Sequence, residues 1–313
     1  MNIKLTVAIC TWNRADLLSQ TLGELALATP PQQGWEVVVV NNKCTDTTDQ
    51  VIARFQDSLP LRRVYEGEPG LSNARNAAVD NARGEYIVWT DDDVLVGRDW
   101  LTAYETAFAG WPQAAVFGGP IFPWFDGQPP DWLASVIDHV GPAYAVRNLG
   151  AEPCALELKG ELPYGANYAV RIHDQRLHRY DAALGRKGKG GALGEETAVL
   201  TAIMKKGGAG RWIPQATVRH FIPRDRQNLQ YLRAYYAMSG RTHALEAGPQ
   251  QGTALLGRPL WTWRAALQAE IQYRLMRLTG DPNKWIDPLT QAARLRGALR
   301  LGELLQDMRE PSR

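Results

Sequence analysis

The sequence predicts an α/β protein with a mostly parallel central sheet, flanking helices and a C-terminal helical extension. Three observations predict it. Short β-rich runs alternate with helical patterns from Leu5 to Trp89, as in strand–helix–strand units with right-handed crossovers. The runs Trp35 to Val40 and Tyr86 to Trp89 are nearly all apolar, as central strands covered on both faces are. Polar clusters recur just past the strand ends, where open α/β sheets gather their ligands.

The elements follow in order. Leu5 to Cys10 is the first strand, ended by Thr11-Trp12-Asn13-Arg14, and Leu17, Leu18, Leu22 and Leu25 mark a helix that Pro30-Pro31 closes. The second strand runs into Asn41-Asn42-Lys43-Cys44, and Thr45 or Asp46 caps a helix buried through Val51, Ile52 and Phe55. Leu61 to Tyr65 is a third strand. Ser72 is the expected N-cap of a helix over Asn73 to Ala82, and Gly84 its C-cap. The fourth strand ends in Asp91-Asp92-Asp93.

Beyond the triplet, Trp100 to Phe108 reads as a helix and Ala115 to Phe117 as a strand. Phe122 to Trp132 reads as a loop crowded with aromatics, Trp124 among them. Such rings either stack on a ligand or pin the loop to the core. Asn167 lies in a turn entering a strand, and the glycine-rich stretch Leu184 to Leu193 reads as a mobile loop. Glu195 and Glu196 open a helix, where they either complement the dipole or supply a general base. His220 follows a short strand, with Arg224 and Arg226 placed to face phosphate or solvent.

From Asn228 the chain turns helical and more basic. Tyr231, Leu232, Tyr235, Tyr236 and Met238 are expected to face inward. Leu260, Trp261, Trp263, Leu267, Ile271, Leu275 and Leu278 mark a second helix interleaved with arginines, and Trp285 to Met308 a third. This pattern fits packing on the first domain, a homodimer contact, or a membrane surface.

Composition narrows the function. A net charge of +2 across 313 residues argues against a nucleic-acid footprint. Three cysteines without pairing or zinc spacing suit a reducing compartment. No signal peptide and no spanning apolar run is visible, so a cytoplasmic protein is expected, either soluble or peripheral at the inner membrane face. Neither G-x-G-x-x-G nor a P-loop is present. Adjacent carboxylates repel one another and lose hydration, and hard oxygen ligands of this kind suit Mg²⁺ or Mn²⁺. An acidic turn gives the same triplet; its place after an apolar strand favours a site.

Several motifs in order resemble the family 2 glycosyltransferases. They are Thr6 to Arg14, Val40 to Asp46, Gly70-Leu71-Ser72-Asn73-Ala74-Arg75-Asn76, Gly84-Glu85-Tyr86-Ile87 with Asp91-Asp92-Asp93, Gly165-Ala166-Asn167, Gly194-Glu195-Glu196 and His220. The resemblance implies a GT-A type, Rossmann-like domain over 1–225, with a nucleotide-sugar half to about 120 and an acceptor half after it, and 226–313 as the extension. It implies inverting transfer from a nucleoside-diphosphate sugar, UDP-sugars favoured, to a glycan, lipid-linked or other hydroxyl acceptor.

By resemblance Thr11, Asn13 and the Asn41-Asn42 pair hold the nucleobase and ribose, Arg14 belongs to the nucleotide-sugar site with them, and Arg75 contacts the nucleotide. Asp91 and Asp93 flank the DxD motif, Asp93 binds Mn²⁺ or Mg²⁺ with His220, and Asp92 lies near the ribose or sugar. Glu196 is the implied base, with Glu195 second. Trp124, Asn167 and Arg224 are candidates for the acceptor or phosphate. Asn41 and Glu196 depart from the family, which often has Asp at both.

Overall fold

The computed structural model describes residues 3–158, 160, 162–183, 194–247, 253–256 and 258–299. The glycine-rich stretch 184–193, the expected linker 248–252 and the end of the third C-terminal helix lie outside these.

The chain forms β1 (Ile3–Thr11), α1 (Ala15–Leu27), β2 (Gly34–Asn41), α2 (Thr48–Arg54), β3 (Leu61–Tyr65), α3 (Leu71–Asn81) and β4 (Tyr86–Asp91). Then come β5 (Val94–Val96), α4 (Trp100–Gly110), β6 (Ala114–Gly118), β7 (Ile121–Phe125), α5 (Asp131–Val136), β8 (Tyr168–Arg171) and α6 (Ile172–Leu177). After these, α7 (Glu195–Lys205), β9 (Ala209–Trp212) and β10 (Val218–Ile222) precede α8 (Leu229–Glu246), β11 (Ala254–Leu255), β12 (Arg258–Pro259), α9 (Leu260–Arg277) and α10 (Pro282–Leu299).

Two compact units result, one of residues 1–124 and 145–221, the other of 125–144 and 222–313. The first is built on a seven-stranded sheet in the order β3-β2-β1-β4-β8-β6-β9. Strands β1, β2, β3 and β4 pair in parallel, and β8 runs antiparallel to β4 and β6. Side chains alternate across a strand, so β1 and β2 feed two cores at once. Leu5, Val7, Ile9, Val37 and Val39 pack with Leu18, Leu22, Trp100 and Phe108 of α1 and α4. Ala8, Val38, Val40 and Trp89 pack on the other face with Ala78 of α3 and Leu200 of α7.

Parallel pairing puts the C-terminal ends of β1, β2 and β4 along one edge, with Cys10 paired to Asp91 and Thr11 to Asn41. A small sheet, β5-β10-β7, adjoins this edge. In it His220 pairs with Val94, the residue after the triplet.

Several local expectations change. α3 begins at Leu71 with Gly70 as its N-cap, at φ 133°, a backbone angle that glycine adopts without a Cβ clash; Ser72 lies inside the helix. Ala82 is the C-cap, and Gly84 instead lets the chain pass β1, because a Cβ there would sit 2.6 Å from the Thr6 nitrogen. Trp124 is on strand β7 rather than in a loop, and His220 is within β10 rather than after it.

In the second unit, α10 packs against both α8 and α9. Gly240 on α8 and Gly297 on α10 mark the crossing: a Cβ on either would run into a backbone carbonyl of the facing helix. Leu232, Tyr236, Tyr273, Trp285, Ile286 and Leu289 fill this core. Met238, expected inside, is exposed. Among the described residues no helix is long and apolar enough to cross a membrane.

Candidate active site

The turn after β1 and the turn after β4 are tied to each other through acids. Thr11 Oγ1 donates to Asp92 Oδ2 at 2.7 Å, and Arg14 Nη1 donates to Asp92 Oδ1 at 3.1 Å and to Asp93 Oδ2 at 2.7 Å. Thr21 Oγ1, from α1, donates to the Asp92 carbonyl at 2.9 Å. Asp92 is thus buried and used up by its neighbours. Burial and the charge of Asp93 push its pKa up to about 7, against Arg14 and Thr11. Its contacts make it a brace for Thr11 and Arg14.

Asn41 and Asn42 are also buried and engaged. The Asn41 amide donates to Asp49 Oδ1 at 2.6 Å, and its oxygen accepts from the Cys44 N–H at 2.8 Å. Asn42 donates to the carbonyls of Glu66 and Glu68 and accepts from the Gly70 N–H at 2.9 Å. Their part is to hold the loops that wall the crevice. Asn13, at φ 52°, is exposed and accepts from the Thr45 N–H at 2.7 Å. Beside it Trp12 is 49% exposed, an open indole face at the end of β1. Sequence reading assigned Trp12 no role, although an aromatic flanked by polar residues at a strand end was the signal.

Arg75 is the hub of the site. It is buried on α3, yet its Nη1 lies 2.8 Å from Glu195 Oε1 and 3.4 Å from Glu196 Oε2, and its Nη2 lies 4.0 Å from Asp91 Oδ1. The Tyr180 ring stands 5.4 Å from the guanidinium. Gly165 leaves room for this contact, since a Cβ there would sit 2.7 Å from Arg75 Nη2 and 3.0 Å from Glu196 Oε1. Arg75 therefore links the acid triplet to the two glutamates at the start of α7.

The hub divides the glutamates. Burial and the charge of Glu196 push the Glu195 carboxyl up to about 7. Burial also acts to raise Glu196, but Arg75, a backbone N–H and Glu195 outweigh it and hold Glu196 below its ordinary range. Glu196 is the more open of the two, with 22% of its side chain exposed against 4%. Near pH 7 the pair thus presents an ionised Glu196 toward solvent.

On the other side His220 Nε2 is 3.6 Å from Asp93 Oδ1. Desolvation raises the pKa of Asp91, with Arg75 opposing and Asp93 adding to the rise. Among the described residues no three His, Cys, Asp or Glu side chains converge as a metal cluster. A carboxylate–imidazole pair still fits Mn²⁺ or Mg²⁺ that takes one or two protein ligands and completes its shell with phosphate and water.

Three further candidates are engaged in other contacts. Asn167 is fully buried and accepts from Trp100 Nε1 at 2.9 Å and Tyr104 Oη at 2.8 Å while donating to the carbonyls of Pro120 and Ala216. It is a core staple with nothing left for a ligand. Trp124 meets Phe221 of β10 in a tilted ring contact, centroids 4.7 Å apart, an aromatic pin. Arg224 belongs to the second unit, its Nε 4.0 Å from Asp126 Oδ1.

Residues 6–149 match the profile of the Glycosyl transferase family 2. That stretch belongs to the family 2 glycosyltransferases. The succinoglycan biosynthesis protein ExoM of Rhizobium meliloti (strain 1021) is 28% identical to this glycosyltransferase over 249 residues, 77% of this chain and 74% of that protein. Validoxylamine A glucosyltransferase of Streptomyces hygroscopicus subsp. jinggangensis is 34% identical over 151 residues, 48% of this chain and 36% of that protein. In fold it is similar to the Pyrobaculum calidifontis mannosyltransferase PcManGT in complex with GDP-Man and Mn²⁺, with a TM-score of 0.60 at 19% identity, covering 100% of this chain and 89% of that one. Staphylococcus aureus TarS 1–349 with UDP-GlcNAc gives 0.52 at 17%, covering 96% and 92%. The fold is of the GT-A type.

Proposed function

We propose that this glycosyltransferase moves a sugar from a nucleoside-diphosphate sugar to an acceptor hydroxyl with inversion, and that Glu196 is the general base. The observation that carries the reading is the Arg75 hub. It keeps Glu196 ionised, while Glu195 beside it is pushed up to about 7.

The acceptor O–H gives its proton to the Glu196 carboxylate. The oxygen forms a bond to the anomeric carbon from the face opposite the leaving group, and the nucleoside diphosphate departs with the electron pair of the broken C–O bond. Opposed-face attack inverts the centre, as in inverting hydrolysis. Asp93 and His220, with Asp91 near, would hold the divalent cation. When bound, that ion supplies Lewis-acid charge for the departing diphosphate. Arg14 bridges Asp92 and Asp93 and keeps the acids in place. Trp12 offers its open face to the nucleobase, while Asn13, Asn41 and Asn42 fix the loops around it. UDP-sugars remain the favoured donors.

Glu196→Gln is the test. General-base removal is worth about 10²- to 10⁴-fold in rate, so transfer should fall by that much while Mn²⁺-dependent binding of UDP, read by calorimetry, stays unchanged. Undiminished transfer would remove Glu196 from the mechanism. If GDP bound and UDP did not, only the donor nucleotide would be revised.

A further inference from the structure

We infer that α9 is a membrane-docking helix that lies flat on an anionic lipid surface. The inference stands apart from the proposed chemistry. It starts from an inversion in side-chain placement. α9 turns Thr262, Ala269 and Tyr273 inward, and its larger aliphatic residues outward. Leu267 is 64% exposed, Ile271 49%, Leu275 56% and Leu278, just past the helix, 84%. Steps of four, four and three residues place these four on one face. Ala269 stands two positions, about 200°, from Leu267 and so faces the other way. The helix is apolar on two opposite sides, and only one of them is covered.

A helix apolar all round is normally buried, and a contiguous exposed apolar stripe marks a protein or membrane contact. The apolar surface also continues beyond α9. Leu255, at the end of β11, and Leu256, just after it, are exposed, as is Trp261 at the start of α9.

Charge decides the occupant. The unit that carries α9, residues 125–144 and 222–313, contains 14 Lys/Arg and 11 Asp/Glu, a net of +3, whereas the other unit contains 21 and 22, a net of −1. Arg264 and Arg274 flank the leucine stripe on the outward side. The one acid of α9, Glu270, already pairs with Arg274 at 3.1 Å. A second copy laid on this face would bring arginines against arginines with no free acid on the helix to answer them. Phosphodiester headgroups would answer them, and each Lys or Arg near such a surface contributes about 1 kcal/mol. Arginine stems can lie along the apolar stripe with their heads among the phosphates. The 18 residues of α9 span about 27 Å, enough to lie in the interface plane.

Flotation tests this directly. The full chain is mixed with vesicles of phosphatidylcholine containing a minor share of phosphatidylglycerol, and separately with pure phosphatidylcholine. Protein should float with the first and not the second, and added salt should release it. The double variant Leu267→Glu/Leu275→Glu should lose at least about tenfold in vesicle binding with its thermal midpoint preserved, because both side chains are exposed. Failure of the parent protein to float overturns the inference, and so does flotation that the double variant leaves intact. If light scattering in lipid-free buffer shows a dimer that the double variant splits, a second copy covers the face and the lipid assignment is wrong.

Discussion

At the ends of β1 and β4, carboxylates lie out of water; on α9, leucines lie in it. The two regions invert the usual placement in opposite directions. In the crevice the inversion is answered within the chain, since Asp92 has Thr11 and Arg14, and Glu195 and Glu196 have Arg75. On α9 nothing on the outward side answers Leu267, Ile271 and Leu275, which remain about half exposed or more. Both arrangements cost free energy in the isolated chain. The comparison teaches where to look for a partner: a crevice organised by its own charges waits for a small ligand, and an open stripe waits for a surface.

The strongest way to break this comparison is to remove the hub. Arg75→Met leaves Glu195 buried without its cation and takes a charge from Glu196 and Asp91. Removing one partner of a buried ion pair costs about 3–5 kcal/mol. Urea unfolding should therefore shift by that much at pH 8. A loss below about 1 kcal/mol would mean that water answers the glutamates and that Arg75 organises little.

Most of the first unit was legible because period-2 patterning and turn chemistry act locally. Val37 to Val40 reads as a buried strand, and Asp91 to Asp93 falls at the end of another, two places along the sheet. Roles were less legible than places. Asn167 and Asn42 have the residue type of ligand contacts, but their partners come from residues far away in sequence, such as Trp100, Tyr104 and Glu68. No local pattern announces such a staple. Arg75 shows the same limit, since its glutamate partners lie 120 and 121 positions on. In the second unit the helices were visible, but which face each one buried was not. α9 is apolar on opposite sides, so periodicity alone does not choose between them.

A smaller effect sharpens the crevice side. The folded-state pKa of Glu195 is raised to about 7, above its unfolded value near 4.5. Between those two values the folded chain holds a proton that the unfolded chain has lost, so this group's contribution makes stability fall as pH rises from about 4.5 to 7. Glu196 acts with the opposite sign and lower down. Its depressed pKa adds stability above the unfolded value, lost as pH falls through the folded one. Glu195→Gln should flatten the slope between pH 5 and 7, by on the order of 2–3 kcal/mol across the window, in denaturation curves taken at each pH. An unchanged slope would show that the buried proton resides elsewhere.

The smallest effect belongs to α9, and its smallness is the point. Leu278→Ser removes an apolar side chain from solvent, so the folded state loses almost no burial; surface changes of this kind stay within about 0.5 kcal/mol. Two turns back on the inward side, Ala269→Leu adds three carbons where Ala269 is 3% exposed, and overpacking costs about 1–3 kcal/mol. Thermal midpoints of the two variants should therefore separate in favour of the one that loses the larger hydrophobe. The reverse order would place the leucine stripe against protein and Ala269 in open space, and the contrast between a self-answered crevice and an unanswered helix would fail at the helix.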